Sequence, residues 1–226
     1  MNIGVIIPVK HLGESKQRLS QILSPEERED LTKIMFAEVV NTIKEFGLQD
    51  TWSIYLLTVT PDAEVAKLAK SMGSKYILEE SGTGVNSAVL RGMKYFKSHD
   101  FDIGLILPAD IPLIKPVDLD ELIRFGMEND VIITPSLKED GTNALLMRPP
   151  DLMRTFYDQD SFMMHKLEAK RQELRSRIHR AYSIMLDIDS AQDVIDFLQS
   201  SSSGNTMTFL RRIDVETRIT IRKINT

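Results

Sequence analysis

Gly104-Leu105-Ile106-Leu107-Pro108-Ala109-Asp110-Ile111-Pro112-Leu113 runs from consecutive apolar positions directly into an acidic residue flanked by prolines. A short apolar run bounded by turn-forming residues reads as a strand covered on both faces, the kind that builds parallel sheets. The prolines stiffen the loop that follows. Ligands in open α/β sheets gather outside the carboxyl ends of the strands, so Asp110 stands where a carboxylate that handles metal or phosphate belongs. The alternative for Asp110 is a helix cap or a turn.

The same signature recurs on either side. Residues 3–9, 53–58, 75–78 and 131–134 are further β-branched runs, separated by helical stretches. Ser24-Pro25-Glu26-Glu27 supplies an N-cap, a first-turn proline and a capping-box acid for a helix that reaches the Phe46-Gly47 stop. Thr60-Pro61 opens another helix in the same way. Residues 85–97 and 117–125 read as helices, and residues 144–148, just after the turn-like Asp140-Gly141, as a strand. A helix over 161–175, a strand over 183–188 and a capped helix over 190–198 complete the pattern. The expected fold class is α/β, with a mixed, mostly parallel central sheet covered by helices on both faces.

Domain organisation follows from a change in composition. Residues 1–199 form the main domain, and Ser200-Ser201-Ser202-Ser203-Gly204 opens a flexible linker over 200–206. Beyond it, residues 207–226 alternate like the two strands of a hairpin. A lone hairpin is marginally stable in water, so this tail is expected to pack on its own domain or on a second subunit, as in a homodimer.

The totals restrict function. The chain has 226 residues, a formal charge of -5 and no cysteine. The acidic balance offers no long-range attraction to nucleic acid. Without cysteine there are no disulfides, thiolate metal sites or cysteine nucleophiles, which suits a cytoplasmic location. No apolar run approaches the length of a membrane span, so no membrane partner is expected. His11, His99, His165 and His179 lack a paired metal-binding spacing, which argues against zinc.

A second acidic group, Asp187-Ile188-Asp189, follows the apolar Ile184-Met185-Leu186. Residues two apart in extended chain share a face, so both carboxylates could meet one ion while Ile188 enters the core. Capping competes, because Asp189 or Ser190 must begin the next helix. Magnesium takes oxygen ligands and is typically held by one or two carboxylates plus substrate phosphates, which two aspartate clusters match. Lys10, Lys16 and Arg18 emerge from the end of the first strand and could neutralise a triphosphate. Ser81-Gly82-Thr83-Gly84-Val85-Asn86 places glycines ahead of a helix, where backbone N–H groups approach a base or phosphate, but it lacks the third glycine of a dinucleotide fingerprint. Asp140-Gly141-Thr142-Asn143 offers a turn, a hydroxyl and an amide. The basic stretch 166–180 reads as a solvated helix face or a subunit contact.

In order, these strings resemble the 2-phospho-L-lactate guanylyltransferase family, also called CofC, of coenzyme F-420 biosynthesis, from Ile3 to about Leu198. The resemblance is carried by Ile7-Pro8-Val9-Lys10 with Lys16-x-Arg18-Leu19, then Gly84-x-Asn86-x-Ala88, Pro108-Ala109-Asp110-Ile111-Pro112-Leu113, Asp140-Gly141-Thr142-Asn143-Ala144-Leu145, Ser161-Phe162-x-x-His165 and Asp187-x-Asp189. It implies a nucleotide-diphospho-sugar transferase-like fold and transfer of GMP from GTP to a phosphorylated three-carbon acid, with release of pyrophosphate. On that resemblance Asp110 and Asp187 or Asp189 would hold Mg2+, while Lys10, Lys16 and Arg18 would face the GTP phosphates. Gly84 and Asn86 would lie by the nucleoside, and Thr142, Asn143 and Ser161 would hold the acceptor. Tyr157-Asp158-Gln159-Asp160 departs from the glycine-rich loop of relatives by placing two acids beside the proposed anion site. The competing readings are a nucleotidyltransferase acting on a sugar phosphate or molybdopterin, a metal-dependent glycosyltransferase, and a GTP-binding regulator without activity.

Overall fold

The computed structural model describes residues 1–49, 51–80, 84–158 and 160–224. Ser81, Gly82, Thr83 and Gln159, named above, lie outside the described residues. The element order is β1 (Asn2–Pro8), α1 (Pro25–Gly47), β2 (Ser53–Thr60), α2 (Ala63–Ser71), β3 (Lys75–Leu78), α3 (Gly84–Ser98), β4 (Ile103–Ile106), α4 (Pro116–Glu128), β5 (Val131–Pro135), β6 (Thr142–Met147), α5 (Ser161–Arg171), β7 (Ser176–Ile178), α6 (Tyr182–Met185), α7 (Ala191–Leu198), α8 (Asn205–Arg212) and α9 (Val215–Ile224).

The strands form one seven-stranded sheet in the order β3-β2-β1-β4-β6-β5-β7. β1 runs parallel to β2 and β4, β2 to β3, and β5 to β7; β6 is antiparallel to both β4 and β5. The mixed, mostly parallel sheet expected from the sequence is therefore present. Successive residues of β1 serve opposite faces: Val5 and Ile7 pack with α1 residues Phe36 and Val40, whereas Ile6 packs with α3 residues Val89 and Met93. Contact on the α3 side is close, because a Cβ on Gly4 would strike the Phe96 ring and one on Gly92 would strike Ile6. Glycine at these positions lets helix and strand approach.

Local signals account for the well-placed helices. Ser24 Oγ accepts from Glu27 N and the Glu27 carboxylate accepts from Ser24 N, which closes the capping box that opens α1. The cap of α2 is Asp62, not Thr60: its Oδ1 accepts from Glu64 N at 2.8 Å, and its Oδ2 accepts from Leu12 N at 3.1 Å. Asp62 thereby ties the loop after β1 to the second helix.

Three expectations fail. The helix expected over 161–175 stops at Arg171, because Glu173 turns the chain with a left-handed φ of 55, and residues 176–178 then join the sheet edge as β7. Residues 183–188 are not a strand: 182–185 make one helical turn and the chain then runs irregularly to Asp189. A short apolar run cannot by itself distinguish a strand from a buried helical turn. The tail over 207–226 is not a hairpin; 205–212 and 215–224 are helical. Met207, Leu210, Val215 and Ile219 recur at helical spacing and pack with Leu19, Leu31 and Met35, so the tail belongs to the core of its own chain.

Candidate active site

The carboxyl ends of β1 and β4, with the loops they lead into, define a cleft of about 410 Å³ lined by Lys10, Lys16, Arg18, Asp110, Thr142, Asn143, Tyr157 and Asp189. An adjoining cleft of about 500 Å³ shares Lys10, Arg18, Thr142, Asn143 and Asp189, and adds Asp158, Asp160, Ser161 and Asp187. Asp110 follows β4, and its carbonyl accepts from Ile188 N at 3.0 Å. This single main-chain bond brings the two acidic loops together. Carboxylate oxygens of Asp110, Asp187 and Asp189 lie within 4.8 Å of one another.

Capping does not consume either member of the pair. Ser190 is the N-cap of α7, and its capping box closes with Asp193. Ile188, between them, is fully buried. Asp187 is braced by Asn143, whose Nδ2 donates to its Oδ1 at 3.0 Å and also lies within hydrogen-bond reach of the carbonyls of Ile184 and Met185. Burial, and next the charge of Asp110, push the Asp187 carboxyl up to about 6. For Asp189 burial acts in the same upward direction, but Lys16 outweighs it and holds the carboxyl below its usual range.

Lys16 is the buried cation of the site. Its side chain is 5 % exposed, and its Nζ donates to Asp110 and, at 2.7 Å, to Asp189. Burial opposes its charge, yet the two carboxylates together raise its pKa above the ordinary lysine value. Its backbone takes φ 54, a left-handed conformation that a non-glycine residue adopts only when its surroundings hold it there. Lys10 and Arg18 are exposed on the cleft walls.

The donor set fits a hard divalent cation: three carboxylates converge from two loops, with neither imidazole nor thiolate among them. Asp110, Asp187 and Asp189 could hold such an ion.

Thr142 shows how a buried histidine can orient a hydroxyl. His165 is fully buried; its Nε2 accepts from Phe156 N at 2.8 Å, and its Nδ1 lies 3.0 Å from Thr142 Oγ1. A backbone N–H only donates, so the neutral ring carries its proton on Nδ1 and gives it to Thr142. The Thr142 hydroxyl hydrogen is then available to the cleft. The sequence contained His165, but nothing in its spacing revealed this pairing. Ser161, the first residue of α5, is buried at the wall of the adjoining cleft.

Burial lowers the His165 pKa to about 4 from an ordinary 6.5. As pH falls below 6.5 the unfolded chain protonates first, so the stability associated with the neutral ring is complete above 6.5 and lost by about 4. The loss amounts to about 3 kcal/mol. Asp187, with its raised pKa, works in the opposite direction over the same range, so the His165 contribution is isolated by comparison with His165→Gln. The wild-type advantage in urea unfolding should be greatest at pH 7 and shrink towards pH 4; a gap that does not change with pH would contradict the assignment.

Two other candidates occupy different places. Asn86 lines none of these clefts: its Oδ1 accepts from Tyr157 N at 2.8 Å and its Nδ2 donates to Asp158 at 3.0 Å, clasping the loop ahead of α5. That clasp also occupies one of the two acids beside the proposed anion site. Gly84, with φ +74, lines a third cleft, which shares Pro8, Val9 and Lys10 with the first. Three of the basic residues of 166–180 are paired outside these clefts, Arg171 with Glu168, Arg175 with Asp130 and Arg180 with Glu139.

Comparison with known proteins points to one family. A family profile described as "Guanylyl transferase CofC like" matches residues 3–223, so the likeness extends through the tail helices and beyond the point where the motifs end. The 2-phospho-L-lactate guanylyltransferase of Methanocaldococcus jannaschii is 31% identical, over 96% of this chain and 93% of its own. The phosphoenolpyruvate guanylyltransferase of Rubrobacter xylanophilus is 33% identical, over 86% of this chain and 92% of its own. Among solved structures, a protein from Desulfovibrio desulfuricans assigned to the nucleotide-diphospho-sugar transferases superposes with a TM-score of 0.76 at 16% identity, covering 96% of each chain.

Proposed function

Because the chain belongs to the CofC-like guanylyl transferase family, we propose that it joins GMP from GTP to 2-phospho-L-lactate and releases pyrophosphate, in coenzyme F-420 biosynthesis. The observation that carries the reading is the meeting of Asp110, Asp187 and Asp189 beside Lys16 in a cleft whose walls also hold Lys10, Arg18 and Thr142.

An oxygen of the acceptor phosphate attacks the α-phosphorus of GTP, and the bond from that phosphorus to the bridging oxygen breaks as pyrophosphate leaves. The acceptor phosphate is already ionised near neutral pH, so no side chain has to act as nucleophile or general base. Positioning and charge stabilisation do the work. Lys10, Lys16 and Arg18 face the triphosphate and the departing pyrophosphate, while the Thr142 hydroxyl and Ser161 hold the acceptor. Mg2+, held by the three aspartates, would reduce repulsion between the two anions and polarise the phosphoryl group under attack.

A second acceptor, phosphoenolpyruvate, is favoured by the similarity to the Rubrobacter enzyme. The deciding experiment crosses four nucleoside triphosphates with phospholactate, phosphoenolpyruvate and 3-phosphoglycerate, with and without Mg2+, and measures pyrophosphate. GTP with one of the first two acids and Mg2+ should respond; silence with every acceptor would end the transferase reading. A cytoplasmic homodimer completes the proposal. Most apolar residues of the tail helices pack within the chain, though Ile221 is exposed, so the contact is better sought at Met163, Met164 and Leu167, which α5 exposes together.

A further inference from the structure

We propose that Glu79 selects the base, its carboxylate accepting the N1–H and 2-amino hydrogens of guanine; the inference rests on the guanylyl-transfer reading above. Glu79 lines the third cleft, of about 230 Å³, whose other walls include the apolar Pro8, Val9, Pro61, Val85 and Ala88. Lys10, His11 and Glu14 complete the polar lining, and apolar walls with a few placed polar groups are the usual build of a pocket for a heterocycle; of the two carboxylates, Glu14 is exposed and Glu79 is buried. This cleft shares Pro8, Val9, Lys10 and Val85 with the one that holds Lys16 and Asp110. A base seated here would therefore direct its phosphates towards the cations and the aspartates.

The Glu79 side chain is only 4 % exposed, and its Oε2 receives no hydrogen bond among the described residues; an ion pair with Arg91 Nε at 3.8 Å is its charged contact. A buried acceptor without a donor is costly, and a ligand that brings the donor offsets that cost. The main chain that carries the group is anchored, since Glu79 N donates to Thr60 O at 3.0 Å across the ends of β3 and β2.

Chemistry then identifies the base. A carboxylate offers two acceptors side by side and no donor. Guanine presents two adjacent donors, N1–H and the 2-amino group, on its pairing edge. Adenine, cytosine and uracil each present a single donor there with an acceptor beside it, so each would set a lone pair against a carboxylate oxygen.

The test is pyrophosphate release from GTP and from inosine triphosphate, which lacks the 2-amino group, by the wild type and Glu79→Gln, with Mg2+ and saturating acceptor. A site built to bond a substrate group discriminates against the analogue without it, so the wild type should prefer GTP by about tenfold or more in kcat/KM. Glu79→Gln should raise KM for GTP by a similar factor, affect inosine triphosphate much less, and so erase the preference. Equal losses on both nucleotides, with the preference intact, would make Glu79 merely structural and overturn the proposal. Should the variant not fold, the wild type alone decides, because equal use of both triphosphates contradicts a carboxylate reading the 2-amino group. If the wild type uses no triphosphate at all, the guanylyl-transfer reading itself fails.

Discussion

Asp110→Asn should lower kcat about a thousandfold while the protein remains folded. The substitution keeps the shape of the side chain and removes one of the three charges that would face a divalent cation. The main chain at Asp110 is undisturbed, so the bond from Ile188 N that aligns the two acidic loops survives. Lys16 retains Asp189 as a partner, which limits the loss of stability. Pyrophosphate release in single turnovers, measured alongside urea unfolding, separates the two effects. A folded Asp110→Asn protein with wild-type turnover would remove Asp110 from the reaction.

Lys16→Met carries the second large effect, and here stability and activity should fall together. The lysine is buried between two carboxylates, and deleting one partner of a buried ion pair strands the others; such losses run to about 3–5 kcal/mol. The lower end applies, because the Asp189 side chain keeps 42% of its exposure and water screens part of the charge. In EDTA the variant should therefore unfold at much lower urea than the wild type. Millimolar Mg2+ should recover part of the difference, since a cation bound to the native carboxylates but not to the unfolded chain stabilises by mass action. Wild-type stability of Lys16→Met in EDTA would show that the lysine is not what neutralises the cluster.

The sheet was legible because its strands are short apolar runs ending in recognisable caps and turns. Ser24 and Glu27 announce α1, and Pro108 and Pro112 bracket the loop of Asp110. The acidic pair around Ile188 was readable too, because an apolar residue between two aspartates can face the core only if both acids face away from it. Less visible were features decided by tertiary contact. The β-branched residues of 215–224 favour strand locally, yet Val215 and Ile219 are buried one helical turn apart against Leu19 and Leu31. The brace that the Asn143 amide gives Asp187, and the clasp of Asn86 on the loop ahead of α5, were likewise invisible in the motifs that contain them. Such roles depend on partners far away in the chain. Glu79, in a strand end without any motif, gave no signal until its burial was known.

The bond from Ile188 to Asp110, together with the lysine that joins both loops, has a consequence for biosynthesis. Lys16 and Asp189 stand 173 positions apart, and Lys16 and Asp110 stand 94 apart. A growing chain displays the Lys16 loop first and the last carboxylates of the cluster only when most of the polypeptide has left the ribosome. Fragments that end before Asp189 therefore lack the complete cluster, and a cation that the three carboxylates would hold could favour only chains long enough to close it. The lysine–carboxylate cluster thus closes late, as a seal on a nearly complete domain.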